Sequence, residues 1–498
     1  MKKFFLICFS LTTVFCVQAQ KEANNWVFGN NAGLTWNTTR SFQATGLLGT
    51  ANDTTLTNLP DFLTGSVMSM LEGCFSLSDA DGNLLFYSNG STIYNAAHGT
   101  MANGTGLGGD SSSAQSGIIF PYPGHPNQYI AVSAGATNSD RVEYCIVDMT
   151  ANGGLGAVTT KNVKLTGYSG TLGESVTSIL HANGEDYWIV VPGKGTSSAF
   201  NAWLVTSSGV TTTPVITTLT PPSLASNGSR GYIKFTPDGK HFAWATFVDT
   251  YLYWGDFDAA TGQFSNIKNL TYPDSGNAFY GVEFTASGKY LYVSGVGSGK
   301  IYAYDFEALL ATSNPASVTP QTFLIKSGSA YALQLGPDGR IYLSIMSSRN
   351  GYIIDNPEEF SNLRLYELTN FLPSGSFQAG LPSFAANWFN VSFDGDDSFC
   401  VGTPQTFNVT IESVSGVDEV SHTEWDFGDG SAIITDTNVN GTQSHTHTYA
   451  EKGVYTITVR VFKKSDGSEM TNQRQRFNVK ASSCVLPVNH NISTMEYY

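Results

Sequence analysis

Charge is scarce in this chain. Of its 498 residues, 13% are Asp, Glu, Lys or Arg, against about 25% in an ordinary soluble domain. That excludes a charge-laced coiled coil and a solvated disordered chain, because 41% hydrophobic content can fill sizeable cores. Basic residues are the scarcer sign: 25 Lys and Arg face 40 Asp and Glu, a net charge of −15. A general binder of nucleic-acid phosphates is thereby set aside. Long hydrophobic runs are also missing. The longest, Phe4 to Val17, falls short of the roughly 20 residues of a membrane-spanning helix. Cysteine is rare, with six in all, and none lies in a Cys-x-x-Cys or Cys/His cluster of the kind that holds zinc. There is no Gly-rich phosphate loop opening a helix, no Gly-x-Ser-x-Gly elbow and no His-Glu-x-x-His. No cofactor and no metal are expected.

What is present begins with an address. Lys2 and Lys3 precede the Phe4–Val17 run, and Val17 and Ala19 supply small residues at −3 and −1 before Gln20. Residues 1–19 therefore read as a secretory signal peptide. Bulky Phe15 argues against a lipoprotein reading through Cys16. Cys74, Cys145, Cys400 and Cys484 then remain, an even number in an oxidising compartment and hence disulfide candidates. A Cys400–Cys484 bond would clamp the two ends of one segment. Cys74 and Cys145 sit in strand-like runs, where buried free thiols are the alternative.

The 51 glycines and 13% aromatics fall into a repeat. A polar residue and a small one lead an apolar strand, a Gly turn and a second, aromatic-rich strand. The first copy is Glu72-Gly73-Cys74-Phe75, the Asp81-Gly82 turn and Leu84-Leu85-Phe86-Tyr87. Further copies open at Gln115, Glu174, Arg230, Tyr280 and Tyr331, and a truncated seventh reads Gln378-Ala379-Gly380-Leu381. Glu72 and Gln378 are 306 residues apart, so six steps average about 51 residues, the length of a four-stranded propeller blade. The outer strands missing from the last copy can come from Asn25–Phe28 and Gly33–Trp36 near the N-terminus, which would hide the sheet edges. An all-β, seven-bladed propeller over 20–390 is expected.

An acidic linker, 391–399, contains Asp394-Gly395-Asp396-Asp397. Beyond it, 400–484 reads as a small Ig-like β-sandwich, with a short tail at 485–498. Val454 to Val459 alternates as a half-buried strand does. The stretch Trp425-Asp426-Phe427-Gly428-Asp429-Gly430, followed by His447-Thr448-Tyr449 and Gly453-Val454-Tyr455, closely resembles the polycystic-kidney-disease (PKD) domain signature. The roles expected of these residues are structural: Trp425 and Phe427 pack the sandwich, and Asp429-Gly430 make a tight turn.

The N-terminal stretch Asn25-Trp26-Val27-Phe28-Gly29-Asn30-Asn31-Ala32-Gly33-Leu34 is similar to the opening of large secreted Bacteroidetes proteins associated with gliding motility and type IX secretion. Glu72 to Asp79, Gly82 to Tyr87 and Met101-Ala102-Asn103-Gly104 extend the likeness. The resemblance implies cell-surface work such as adhesion. Those relatives usually end in a sorting domain, whereas 14 residues follow Cys484. A secreted or cell-surface location is expected, with a periplasmic one as the alternative.

The residue ahead of each inner strand should stand at one mouth of the central channel. Glu72, Gln115, Glu174, Arg230, Tyr280, Tyr331 and Gln378 form this candidate ring, and its mixture of acid, amide, cation and aromatic suits a glycan. Binding of polysaccharide or of a cell-surface or envelope protein is expected, rather than catalysis. The alternatives are a glycan hydrolase or lyase using Glu72 and Glu174, and a scaffold part of the secretion or gliding apparatus. Asp79-Ala80-Asp81-Gly82-Asn83 lacks the distal ligands of a calcium loop. His445 and His447 share a strand face, but no third metal ligand is evident.

Overall fold

The computed structural model describes residues 21–482, apart from 48–50, 80, 137–138, 169, 184, 196–197, 220–223, 225–229, 274–277, 326–328, 387–397, 412–419, 440, 452, 465–466 and 468–474. The segment read as a signal peptide, Asp394 to Asp397, Cys484 and the tail lie outside the described residues.

Each of the six complete repeats forms a four-stranded antiparallel blade. The fourth, for example, runs Ile233–Phe235, His241–Ala245, Tyr251–Asp258 and Gln263–Thr271 in sequence order. Burial falls from the centre outward. Ile233–Phe235 is wholly buried, whereas Gln263–Thr271 buries only Phe264. This gradient explains why the first two strands of each repeat stand out in the sequence as apolar and aromatic runs. Between them, Gly82, Gly239, Gly288 and Gly339 all take left-handed φ, from 69° to 87°, which a residue with a Cβ adopts only under strain.

The small residues one or two places behind the mouth position have a different cause. The inner strands crowd the axis so closely that a Cβ on Gly380 would lie 1.6 Å from the Glu72 carbonyl oxygen. One on Gly73 would lie 2.1 Å from the Ser116 nitrogen, and one on Gly281 would lie 2.4 Å from the Tyr331 oxygen.

The seventh blade joins the two ends of the propeller segment, as the sequence implies. Its inner segment, around 376–384, meets Asn25–Phe28 through an antiparallel bridge at Asn30 and Ser376. Phe28 stacks on Phe377, and Trp26 lies against Phe384. Ala32–Gly46 and Thr54–Phe62 complete the blade and then extend as a hairpin arm that pairs with Leu365–Leu368 of the sixth. On the other side the inner segment abuts the first blade, where Ser383 donates its N–H to the Cys74 carbonyl. The propeller therefore has seven blades.

The C-terminal unit is a β-sandwich. Five strands are ordered Ser398–Cys400, Gln475–Ser482, Gly453–Lys463, Val420–Asp426 and Ile434–Asp436, and Gln405–Ile411 pairs with Gly441–His447. The linker expected to run to 399 thus gives way at Ser398, because Ser398–Cys400 pairs in parallel with the last strand. Trp425 is fully buried and donates its Nε1–H to Gln443 Oε1 at 3.0 Å. Phe427 shares its core, and Tyr449 donates its hydroxyl to the Phe427 carbonyl at 2.9 Å and stacks on Tyr455. Asp426 and Asp429 accept backbone N–H groups of Gly428 and Ser431, with Gly428 and Gly430 at positive φ. Gly453 opens the strand of Tyr455. These are the packing and turn roles the sequence suggested.

Cys400 is disulfide-bonded. Cys74 and Cys145 are free thiols, which corrects their candidacy as a disulfide. Cys74 is sealed against the inner segment of the seventh blade. Cys145 belongs to the third strand of the second blade, where Asn162 donates its N–H to the Cys145 sulfur. Among the described residues, no helix is long and apolar enough to cross a membrane.

Candidate functional site at the propeller mouth

Every inner strand runs from the same face of the ring toward the other, so the residues preceding them gather at one mouth. Glu72, Glu174 and Arg230, from the first, third and fourth blades, line a depression of about 510 Å³. Two loops finish its wall: Gly108, Gly109, Asp110 and Ser112 from one, Gly135, Ala136, Ser139 and Arg141 from the other. Tyr280 lies buried beneath and donates its hydroxyl to Glu72 Oε2 at 2.7 Å, while Ser112 Oγ reaches Glu72 Oε1 at 3.5 Å. Arg230 Nε stands 3.4 Å from Glu174 Oε1, whose side chain is only 3% exposed. Arg141 grips buried Glu143 with two hydrogen bonds of 2.7 and 2.8 Å. Half-buried Tyr331 sets its ring edge-on to Tyr280 at 5.7 Å.

Burial pushes the Glu72 carboxyl up to about 7, and the Glu174 charge adds to that rise. The Tyr280 hydroxyl, the Arg230 charge and Ser112 pull the other way without cancelling it. Replacing Tyr280 by Phe removes a donor to the ionised form, so the Glu72 titration is expected to move further above 7. A pH titration of the side-chain carboxyl carbon by NMR checks this; an unchanged or lower midpoint would show that the phenol does not stabilise the carboxylate.

Four of the seven ring candidates do not line the depression: Tyr280 lies beneath it, Tyr331 packs against Tyr280, and Gln115 and Gln378 are buried. Gln115 is 1% exposed: its Oε1 accepts from the Ile233 N–H at 2.8 Å, and its Nε2 donates to the Ile233 carbonyl at 3.2 Å. The amide thus stitches the second blade to the fourth. Gln378 is buried too, drawn in by the short closing segment. Deeper along the axis, buried Lys234 contacts Glu283 and Gln334. The mouth is a cup with Tyr280 buried beneath it.

Asp110, Ser112, Ser139 and Arg141 escaped sequence reasoning because they sit on loops outside the repeated core positions. Arg141 left one signal, a Glu two residues along the same strand edge. Buried Lys194 also lies within the field of Glu174, Arg230 and Asp140, and its burial lowers its pKa. The remaining sequence candidates have local explanations. Asp79 Oδ1 accepts the N–H groups of Asp81 and Asn83 in a turn. His445 and His447 each hold one carboxylate, Asp436 at 2.9 Å and Asp429 at 2.7 Å. Among the described residues no group of three or more His, Cys, Asp or Glu could hold a metal ion.

Residues 390–480 match the PKD domain family, so the sandwich of this chain is a PKD domain. No curated protein matches the chain in sequence. Solved structures resemble it at low identity. A putative 6-phosphogluconolactonase from Bacteroides uniformis is 14% identical, covers 83% of this chain and 96% of its own, and superposes with a TM-score of 0.38. The periplasmic gluconolactonase of Pseudomonas aeruginosa is 10% identical, with coverages of 89% and 97% and a TM-score of 0.35. A protein from Lactobacillus plantarum is 12% identical, with coverages of 69% and 99% and a TM-score of 0.43.

Proposed function

We propose that this chain is an exported cell-envelope binding protein whose propeller mouth takes polysaccharide, with the PKD sandwich as a second module. The observation that carries this reading is the convergence of Glu72, Glu174 and Arg230, from three blades, on one open cup. Sugar hydroxyls need paired donors and acceptors held in fixed geometry, and the cup supplies carboxylates, guanidiniums and hydroxyls on a rigid ring. Export rests on the Lys2-Lys3 segment ahead of Phe4–Val17, and the envelope setting on the resemblance to gliding-associated proteins. A hydrolase or lyase is the second reading. It is favoured by the Glu72 carboxyl, which at about 7 is suited to proton transfer at neutral pH.

Passing the mature protein over immobilised polysaccharides, while assaying released reducing sugar, tests both readings. Retention without release, lost in Glu72→Gln and Glu174→Gln, is the expected result. Release that disappears in either variant would establish an enzyme. Retention of no polysaccharide, with envelope proteins co-purifying instead, would favour a scaffold.

A further inference from the structure

Resting on the polysaccharide reading, we propose that the mouth selects a glycan bearing free amines, seating the ammonium of a 2-amino-2-deoxyhexose unit against Glu72. The charges lining the cup carry the argument. Glu72, Asp110 and Glu174 stand against Arg141 and Arg230. Both guanidiniums are engaged, Arg141 with Glu143 from outside the lining and Arg230 with Glu174. Glu72 differs from the other two glutamates. Its partners are two neutral hydroxyls, and no cation lies within ion-pair distance of it among the described residues.

The two Glu72 oxygens are also unequal. Oε2 takes the short bond from Tyr280, whereas Oε1 has only the 3.5 Å approach of Ser112 and retains acceptor capacity toward the cup. A half-buried carboxylate with no direct ion pair is expensive to keep ionised, and burial, which the more distant Arg230 charge offsets only in part, raises Glu72 to about 7. A ligand ammonium supplies the missing charge. An acidic sugar would meet an excess of carboxylates and arginines already in use, and an N-acetylated sugar brings no charge at all. Tyr280 fixes the carboxylate from behind, so the acceptor is already in place when the ligand arrives.

Calorimetric titration of the full mature chain with a glucosamine tetramer and with its N-acetylated form, at about pH 7 and physiological ionic strength, tests this. The free-amine tetramer is expected to bind about tenfold more tightly or better. Glu72→Gln is expected to bring the two affinities together. Glu185→Gln, which removes an exposed charge at the far end of the third blade, is expected to leave the ratio intact. Equal affinities in the unaltered protein would overturn the amine preference while leaving the polysaccharide reading standing. Binding of neither tetramer would overturn both, and a preference that survives in Glu72→Gln would remove Glu72 as its source. Tighter binding of tetralysine than of the amino sugar would assign the cup to a basic peptide instead.

Discussion

Replacing Glu283 by Ala is expected to destabilise the propeller by about 3–5 kcal/mol, the usual cost of leaving one member of a buried ion pair alone. The Lys234 and Glu283 side chains are 10% and 7% exposed. Lys234 Nζ contacts the Glu283 carboxylate, and it also reaches Gln334 Oε1 at 2.6 Å and the Leu333 carbonyl at 3.2 Å. Glu283 in turn accepts the N–H groups of Leu335 and Phe284 at 2.7 and 3.0 Å. One carboxylate therefore holds the fourth, fifth and sixth blades together at the axis. Burial pushes Lys234 down and Glu283 up, so neither charge is comfortable without the other. Alanine would take the counter-charge from the ammonium and strand the Leu335 and Phe284 N–H groups. The pair Lys234→Met with Glu283→Gln keeps an acceptor for Leu335 and removes both charges, and it should recover most of the loss. Denaturant unfolding of the three proteins measures this. A single-variant cost below about 1 kcal/mol would mean that water reaches the pair and that the axis is open.

Trp26→Ala should cost a similar amount, about 3–5 kcal/mol, through the cavity left by a large buried ring. Trp26 has no exposed surface and meets Trp36 at 4.6 Å, Tyr342 at 5.5 Å and Phe384 at 6.1 Å. These partners belong to the N-terminal hairpin, the sixth blade and the closing segment, so the ring sits where the propeller is fastened. Its Nε1–H is buried without a partner among the described residues. Trp26→Phe should therefore be much milder, since it deletes that donor while keeping most of the apolar contact. Near-equal stability of Trp26→Ala and the unaltered protein would show that the N-terminal strands are not what closes the ring.

The sequence carried the elements whose physics is local. The glycines at positive φ in four of the blade hairpins, a small residue where inner strands crowd, and the Trp425 to Gly430 turn can be seen without coordinates because each answers a constraint set within a few residues. Closure by Asn25–Phe28 was legible for a related reason: the truncated seventh repeat lacked strands, and an unpaired edge has to be covered. The mouth was legible only in part. Glu72, Glu174 and Arg230 follow from repeat position, but so did Gln115, Tyr280 and Gln378, and those three are buried. Whether a side chain at that position faces solvent or is buried depends on how narrow the channel is, which no single repeat encodes. Asp110 and Arg141 come from loops whose path is set by neighbouring blades. Cys74 and Cys145 looked pairable by count, yet one bridges to the closing segment at Pro382 and the other belongs to the third strand of the next blade.

Hydrogen–deuterium exchange of the mature chain, with and without a retained polysaccharide, examines the central claim most directly. The amides around 108–112, 135–141 and 230–231 should exchange more slowly with the glycan bound, and the sandwich strands between Gln405 and Ser482 should be unchanged. Protection confined to the sandwich, with the mouth loops unaffected, would place binding on the PKD domain and contradict the assignment of the propeller mouth.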